Sequence, residues 1–148
     1  MGKLVDTLAA PERRRAVVDD GVRLIHAEVE KKGGISGFAL KGAFKVVSAV
    51  SHDFVPHVLD RLIPEFAQKL EPFWEARERE ASAQPMEQYL SNRAPAVANA
   101  LLQITDARAA RADKGPVRTA YEKLRSMAER HVEDAVPGIG RLLDRHMK

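Results

Sequence analysis

The chain has 148 residues, of which 45% are apolar and 30% charged, and it contains no cysteine. This composition is typical of a globular protein with a sizeable core, and the lack of cysteine excludes disulfides, thiolate catalysis and cysteine-ligated metal sites. The chain has no apolar run of the roughly 18 residues that a membrane span needs, and its N-terminus lacks a signal-peptide pattern. We therefore expect a cytoplasmic protein.

The charge is nearly balanced overall, although the small basic excess is unevenly spread along the chain. Lysine and arginine number 24 against 21 acidic residues, which leaves a net charge of +3. Proteins that bind DNA concentrate their basic residues on one face. Here bases and acids are interspersed, as on solvated helix faces, and we expect no specific nucleic-acid partner.

Apolar residues recur about every 3.6 positions along most of the chain, with no sustained two-residue alternation, which indicates helices. The first long helix is predicted from Pro11 to Lys32, where Gly33 and Gly34 end it. The prolines of later segments are expected to kink or break their helices. The sequence predicts an all-α fold, a compact helical bundle of about six helices in a single domain over residues 1–148.

The segment 33–50 reads GGISGFALKGAFKVVSAV and is apolar almost all the way round. A helix of this kind is typical of the middle of a bundle. We therefore predict a central apolar helix near 35–50, with Gly37 and Gly42 letting a neighbouring helix approach closely. Because burial in the protein would satisfy these apolar residues, we also expect no membrane contact.

No motif indicates catalysis. The five histidines lack the spacing of a zinc or di-iron site, and no phosphate-binding loop is present. Ser51-His52-Asp53 holds the residue types of a hydrolytic triad, but consecutive side chains point in different directions and a capping turn explains them better. The chain is therefore expected not to be an enzyme, with no catalytic residues, no metal and no cofactor.

The best candidate for a partner-binding site is the aromatic pair Phe73-Trp74. Phe73 continues a buried stripe, whereas Trp74 lies about 100° round the helix, where it is either partly exposed or covers the edge of the core. Because tryptophan is enriched at interface hot spots, the leading hypothesis is a scaffold or interaction protein that binds itself or another protein. Of the two positions for Trp74, we slightly favour the one in which it covers the edge of the core.

A second functional hypothesis is a helical carrier that binds an apolar small molecule or lipid in its core. The pocket would be lined by four side chains: Phe38, Phe44, Val47 and Phe66.

Two stretches resemble each other, HVLDRLIPEFAQKLE at 57–71 and HVEDAVPGIGRLLD at 131–144. Pro64 matches Pro137 when one residue is omitted before the second proline. The pair reflects either an internal duplication or two helices that are kinked by the same device, and we favour the second interpretation.

Four stretches carry a resemblance to known sequences: KKGGISGFALKGAFKVVSAV, VLDRLIPEFAQKLEPFW, ALLQITDARAARA and HVEDAVPGIGRLLDRH. Together they resemble a family of small uncharacterised bacterial proteins that is common in actinobacteria, from about Val18 to His146. The resemblance implies a bacterial, cytoplasmic, helical domain, and it brings no catalytic or ligand-binding residue with it.

Overall fold

The computed structural model describes residues 2–50, 53–111 and 115–147. In these ranges the chain forms seven α-helices and no β-strand, which confirms the all-α bundle. The helices are α1 (Lys3–Leu8), α2 (Pro11–Lys31), α3 (Gly34–Val50), α4 (Phe54–Glu80), α5 (Met86–Ser91), α6 (Ala94–Arg111) and α7 (Pro116–His146).

Four long helices, α2, α4, α6 and α7, form the body of the protein. Helix α2 packs against both α4 and α7, and α6 does the same. The short helix α1 lies on α4, and the short helix α5 lies on α7. In α6 the apolar side chains Val97, Leu101 and Ile104 recur at helical spacing, and all three are buried.

The internal prolines of α4 and α7 do not end these helices. Helix α4 continues through Pro64 and Pro72, and α7 continues through Pro137, so neither helix is broken at its prolines. A proline inside a helix removes one backbone hydrogen bond. In α7 the buried stripe continues on both sides, with Val136 and Leu143 at 0% and 1% exposure, and this packing keeps the helix intact.

The short helix α1 is held by a side chain from a distant part of the chain. No side chain of its own N-cap residue bonds to it. Instead, the buried carboxylate of Glu71 on α4 accepts hydrogen bonds from the backbone N–H groups of Leu4 and Val5, at 3.1 and 2.9 Å. A carboxylate at the N-terminus of a helix accepts hydrogen bonds from backbone N–H groups that have no partner within the helix. Its negative charge also interacts favourably with the helix dipole.

The second short helix, α5, is held in the same way. The carboxylate of Asp144 on α7 accepts hydrogen bonds from the backbone N–H groups of Met86 and Glu87, at 3.0 and 3.3 Å. Glu71 and Asp144 are the last residues of the two similar stretches, 57–71 and 131–144, and occupy matching positions in them. The similarity therefore corresponds to one structural role that occurs twice.

Helices α5 and α7 touch at Gly140. A β-carbon built there would lie 2.4 Å from the Cα atom of Glu87 and 2.9 Å from the backbone carbon of Met86. These are main-chain atoms that no rotamer change can move away. Glycine is therefore required for the two helices to come this close.

The position predicted for helix α3 is wrong. Its side chains Ile35, Phe38 and Val46 are 91%, 81% and 44% exposed, and among the described residues no α3 side chain joins the hydrophobic core. The helix lies at the edge of the bundle, mainly against α7. Apolarity all round a helix permits burial but does not decide which helix is buried. Here α1 and α5 supply core side chains, with Leu4, Met86 and Leu90 each at 0% exposure.

The two glycines of α3 do not serve as predicted. A β-carbon at Gly42 would meet no atom within 4 Å, and one at Gly37 would meet the backbone of Lys32, just before the helix.

The prediction that α3 avoids membranes assumed that the helix is buried, and its exposed side chains remove that argument. In the parts of the chain that the structure describes, no helix is both long and apolar enough to cross a bilayer.

Candidate apolar binding cavity

An apolar cavity of about 330 Å³ lies between α2, α4, α6 and α7. Each of the four helices contributes apolar side chains to its wall, among them Ile25, Phe66, Leu101 and Ile139. Leu8 of α1 closes part of the wall. Sites for small ligands usually have volumes of about 300–1,000 Å³ and mostly apolar walls with few polar groups. The cavity matches this description.

The cavity arises where the buried stripes of four helices converge on small side chains. Ala67 of α4 and Ala135 of α7 both line it, and each fills only the volume of a methyl group. The other wall side chains are mostly larger and aliphatic, among them Leu59, Leu102 and Leu142. The space is therefore a consequence of the side-chain sizes on α4 and α7.

Three polar side chains also line the cavity: Glu28, Thr105 and His131. The hydroxyl of Thr105 is satisfied, since it lies 2.9 Å from the Tyr121 hydroxyl and donates to the carbonyl of Leu102. Glu28 and His131, in contrast, each have buried polar atoms without a hydrogen-bond partner among the described residues.

Glu28 is buried, with only 8% of its surface exposed. One carboxylate oxygen, Oε2, lies 2.8 Å from the ammonium group of Lys31. The other oxygen, Oε1, is buried and has no hydrogen-bond partner among the described residues. A buried acceptor without a partner costs roughly 1–3 kcal/mol, so a donor in the cavity would be bound favourably.

His131 on α7 is half-buried, but both of its ring nitrogens are buried and lack a partner among residues 2–50, 53–111 and 115–147. Burial lowers the pKa of the imidazole, and the positive charge of Lys32 lowers it further. Asp134 acts in the opposite direction and Arg130 adds a small lowering. The folded protein therefore favours the neutral ring at neutral pH.

The pKa of His131 predicts how stability depends on pH. The unfolded chain takes up a proton near the ordinary histidine pKa of about 6.5, whereas the folded chain resists protonation until lower pH. The contribution of His131 to the free energy of unfolding is thus complete above about pH 6.5. It is lost as the pH falls through the lowered pKa of the folded state. Urea unfolding between pH 8 and 5 should show less loss of stability in His131→Phe than in the wild type.

A matched control for this experiment is His57→Gln, because His57 is exposed. This variant should keep the pH dependence of the wild type. An identical slope in His131→Phe and in the wild type would show that His131 is protonated equally in both states, contrary to the prediction.

The structure does not bring together the four residues of the pocket predicted from sequence. Phe66 lines the cavity, but Phe38 is exposed and Phe44 packs edge-on against His26 with ring centroids 5.1 Å apart. The side chain of Val47 lies outside the described part of the structure. The predicted pocket required α3 in the centre of the bundle, and α3 is at its edge.

Trp74 belongs to the core, with 6% exposure, which agrees with the favoured prediction that it covers the core and not with partial exposure. The guanidinium of Arg77 lies over its ring, 4.5 Å from the centroid, and is itself held by the carbonyls of Ser82 and Gln84. Phe73 is half-buried and packs against the core. The indole therefore offers little surface to a partner.

Sequence reasoning missed Glu28 and His131, although a signal was present. Val17, Gly21 and Leu24 all line the cavity, and Glu28 follows them on the same stripe of α2 at the spacing of a helix face. His131 falls on the stripe of α7 that Ala135 continues. A charged or titratable residue in the middle of an apolar stripe was the available sign of a polar group inside the core.

Together these features define an all-α protein whose four long helices line an apolar cavity, with two polar side chains in its wall that have unpartnered atoms. The chain belongs to a family of unknown function, DUF6918, whose sequence pattern matches residues 4–147. No curated protein and no solved structure shows significant similarity to the chain.

Proposed function

We propose that the protein binds an apolar small molecule in the cavity between α2, α4, α6 and α7, as a carrier or sensor and not as an enzyme. The observation that carries the proposal is the cavity of about 330 Å³ with its nearly continuous apolar wall. Unfilled space in a core forfeits dispersion contacts, so a molecule that fills it restores them. The buried, unpartnered oxygen of Glu28 adds a polar group that could orient the ligand.

The volume limits the size of the ligand. An engineered apolar cavity of about 150 Å³ is known to accommodate benzene, so the present cavity suits a molecule of roughly twice that size. This corresponds to a compact ring system or a short chain, and a full-length diacyl lipid would be too large. Naphthalene is therefore a suitable first probe.

The second candidate is self-association. The sequence favoured this hypothesis with Phe73-Trp74 as the anchor, and the exposed surface of α3 replaces that anchor here. The exposed side chains Ile35 and Phe38 supply an apolar surface, and α3 carries Lys41 and Lys45 but no acidic residue. Exposed acidic residues, including Glu75 and Glu80, lie near the end of α4. This charge complementarity favours a second copy of the chain as the partner of α3.

Native mass spectrometry with two variants separates the candidates. Ala135→Phe fills the cavity and should weaken naphthalene binding by about tenfold or more, equivalent to about 1.4 kcal/mol. It should leave the oligomeric state unchanged. Phe38→Ser alters only the surface of α3 and should leave naphthalene binding unchanged.

The outcomes of this experiment are distinct. A wild-type monomer that binds naphthalene, with binding lost in Ala135→Phe, supports the carrier. A dimer that dissociates in Phe38→Ser and binds no apolar probe would instead favour self-association. Equal naphthalene binding by the wild type and Ala135→Phe would contradict the cavity as the binding site.

A further inference from the structure

Glu28 lines the cavity and carries a buried carboxylate oxygen that has no hydrogen-bond partner among the described residues. Glu28 is 92% buried, and Lys31 holds its Oε2 atom, which leaves Oε1 as the oxygen without a partner among the described residues. The two ring nitrogens of His131, which lines the same cavity, are also without partners in that part of the chain. A ligand that is wholly apolar would leave all of these atoms unpaired.

We propose that the ligand is a neutral apolar molecule with a single hydroxyl group, and that this hydroxyl donates a hydrogen bond to Oε1 of Glu28. This inference rests on the proposed binding function and specifies the chemical class of the ligand. A hydroxyl is both a donor and an acceptor, so it also suits the neutral imidazole of His131. Hydrogen bonds to a carboxylate are roughly twice as strong as those between neutral groups.

The same geometry disfavours a ligand with a carboxylate, such as a fatty acid. Glu28 would face it with a like charge inside a wall of low polarity, where charges are poorly screened. No basic side chain lines the cavity to compensate that charge, since its polar lining consists of Glu28, Thr105 and His131 in the described structure. The lowered pKa of His131 means that its ring supplies no positive charge at neutral pH either.

Three probes of similar size test the inference: naphthalene, 2-naphthol and 2-naphthoate. At pH 7.5 and in calorimetric titrations, the wild type should bind 2-naphthol about tenfold more tightly than naphthalene, which corresponds to about 1.4 kcal/mol. It should bind 2-naphthoate more weakly than either of the other two. Naphthalene serves as the internal reference for the proposed function, because it probes only the apolar wall.

Two variants of Glu28 show whether the preference comes from its carboxylate. Glu28→Met removes the acceptor with little change in length, so binding of 2-naphthol should fall to the level of naphthalene while naphthalene binding is retained. Glu28→Gln removes the charge but keeps an oxygen acceptor, so 2-naphthoate binding should improve. Retained naphthalene binding also shows that each variant is folded.

The failures of the two proposals are distinguishable. If naphthalene and 2-naphthol bind equally to the wild type, or if Glu28→Met keeps the preference for 2-naphthol, the hydroxyl inference is wrong and the binding function stands. If none of the three probes binds to the wild type, the proposed function is wrong and the hydroxyl inference falls with it.

Discussion

Replacing Glu71 with alanine is expected to lower the free energy of unfolding by about 3 kcal/mol. The substitution removes two charge-assisted hydrogen bonds, from the N–H groups of Leu4 and Val5, and leaves both donors without their acceptor. Both residues are buried, so water does not readily replace the carboxylate. Urea denaturation followed by circular dichroism measures the loss. Amide hydrogen exchange at Leu4 and Val5 should accelerate more than exchange in α6.

Glu75→Ala is the matched control for Glu71→Ala. Glu75 lies one turn further along α4 and is exposed, so its replacement should change stability by less than about 0.5 kcal/mol. Glu71→Gln keeps one oxygen acceptor and should fall between the two alanine variants. Equal losses in Glu71→Ala and Glu75→Ala would show that the cap of α1 contributes little to stability.

Replacing Gly140 with alanine is expected to destabilise the fold by about 1–3 kcal/mol through overpacking. The new methyl group would lie 2.4 Å from the Cα atom and 2.7 Å from the backbone nitrogen of Glu87, so α5 would have to move away from α7. This movement also stretches the hydrogen bonds from Met86 and Glu87 to Asp144. The steric cost outweighs the gain in helix propensity of about 1 kcal/mol.

Gly42→Ala gives the same propensity change without the contact, because a β-carbon at Gly42 meets no atom within 4 Å. It should stabilise the protein by up to about 1 kcal/mol. Thermal unfolding should therefore shift in opposite directions for the two alanine variants. A shift in the same direction for both would mean that α5 does not pack tightly on Gly140.

The helices that can be predicted from sequence are those whose apolar stripe coincides with burial. Helix α6 shows this well, since Val97, Leu101 and Ile104 follow the period of a helix and all three are buried. The small helix α1 could not be found in this way. Its cap comes from Glu71, which lies more than 60 residues away in the chain, and no local pattern contains that information.

The position of α3 and most of the lining of the cavity escaped prediction for a related reason. Both depend on which helix faces are buried in the core, and this is determined by how all the helices pack together. Phe66 was assigned to a ligand pocket and does line the cavity, but its three proposed neighbours came from α3. Glu28 was accessible to sequence reasoning, because it continues an apolar stripe of α2.

The chain has two halves with the same arrangement of helices, and each half contains one of the two carboxylate caps. In each half, a short helix is followed by a long helix and then by a second long helix that contains proline. A carboxylate on the second long helix caps the short helix. The helices are α1, α2 and α4 in the first half and α5, α6 and α7 in the second. Helix α3 has no counterpart in the second half, which agrees with its place outside the core.

The cavity lies at the junction of these halves, because α2 and α4 come from the first and α6 and α7 from the second. A molecule bound there would contact both halves at once and would act as part of their interface. Its binding energy would then add to the cohesion of the halves, so occupancy would determine how firmly they are held together.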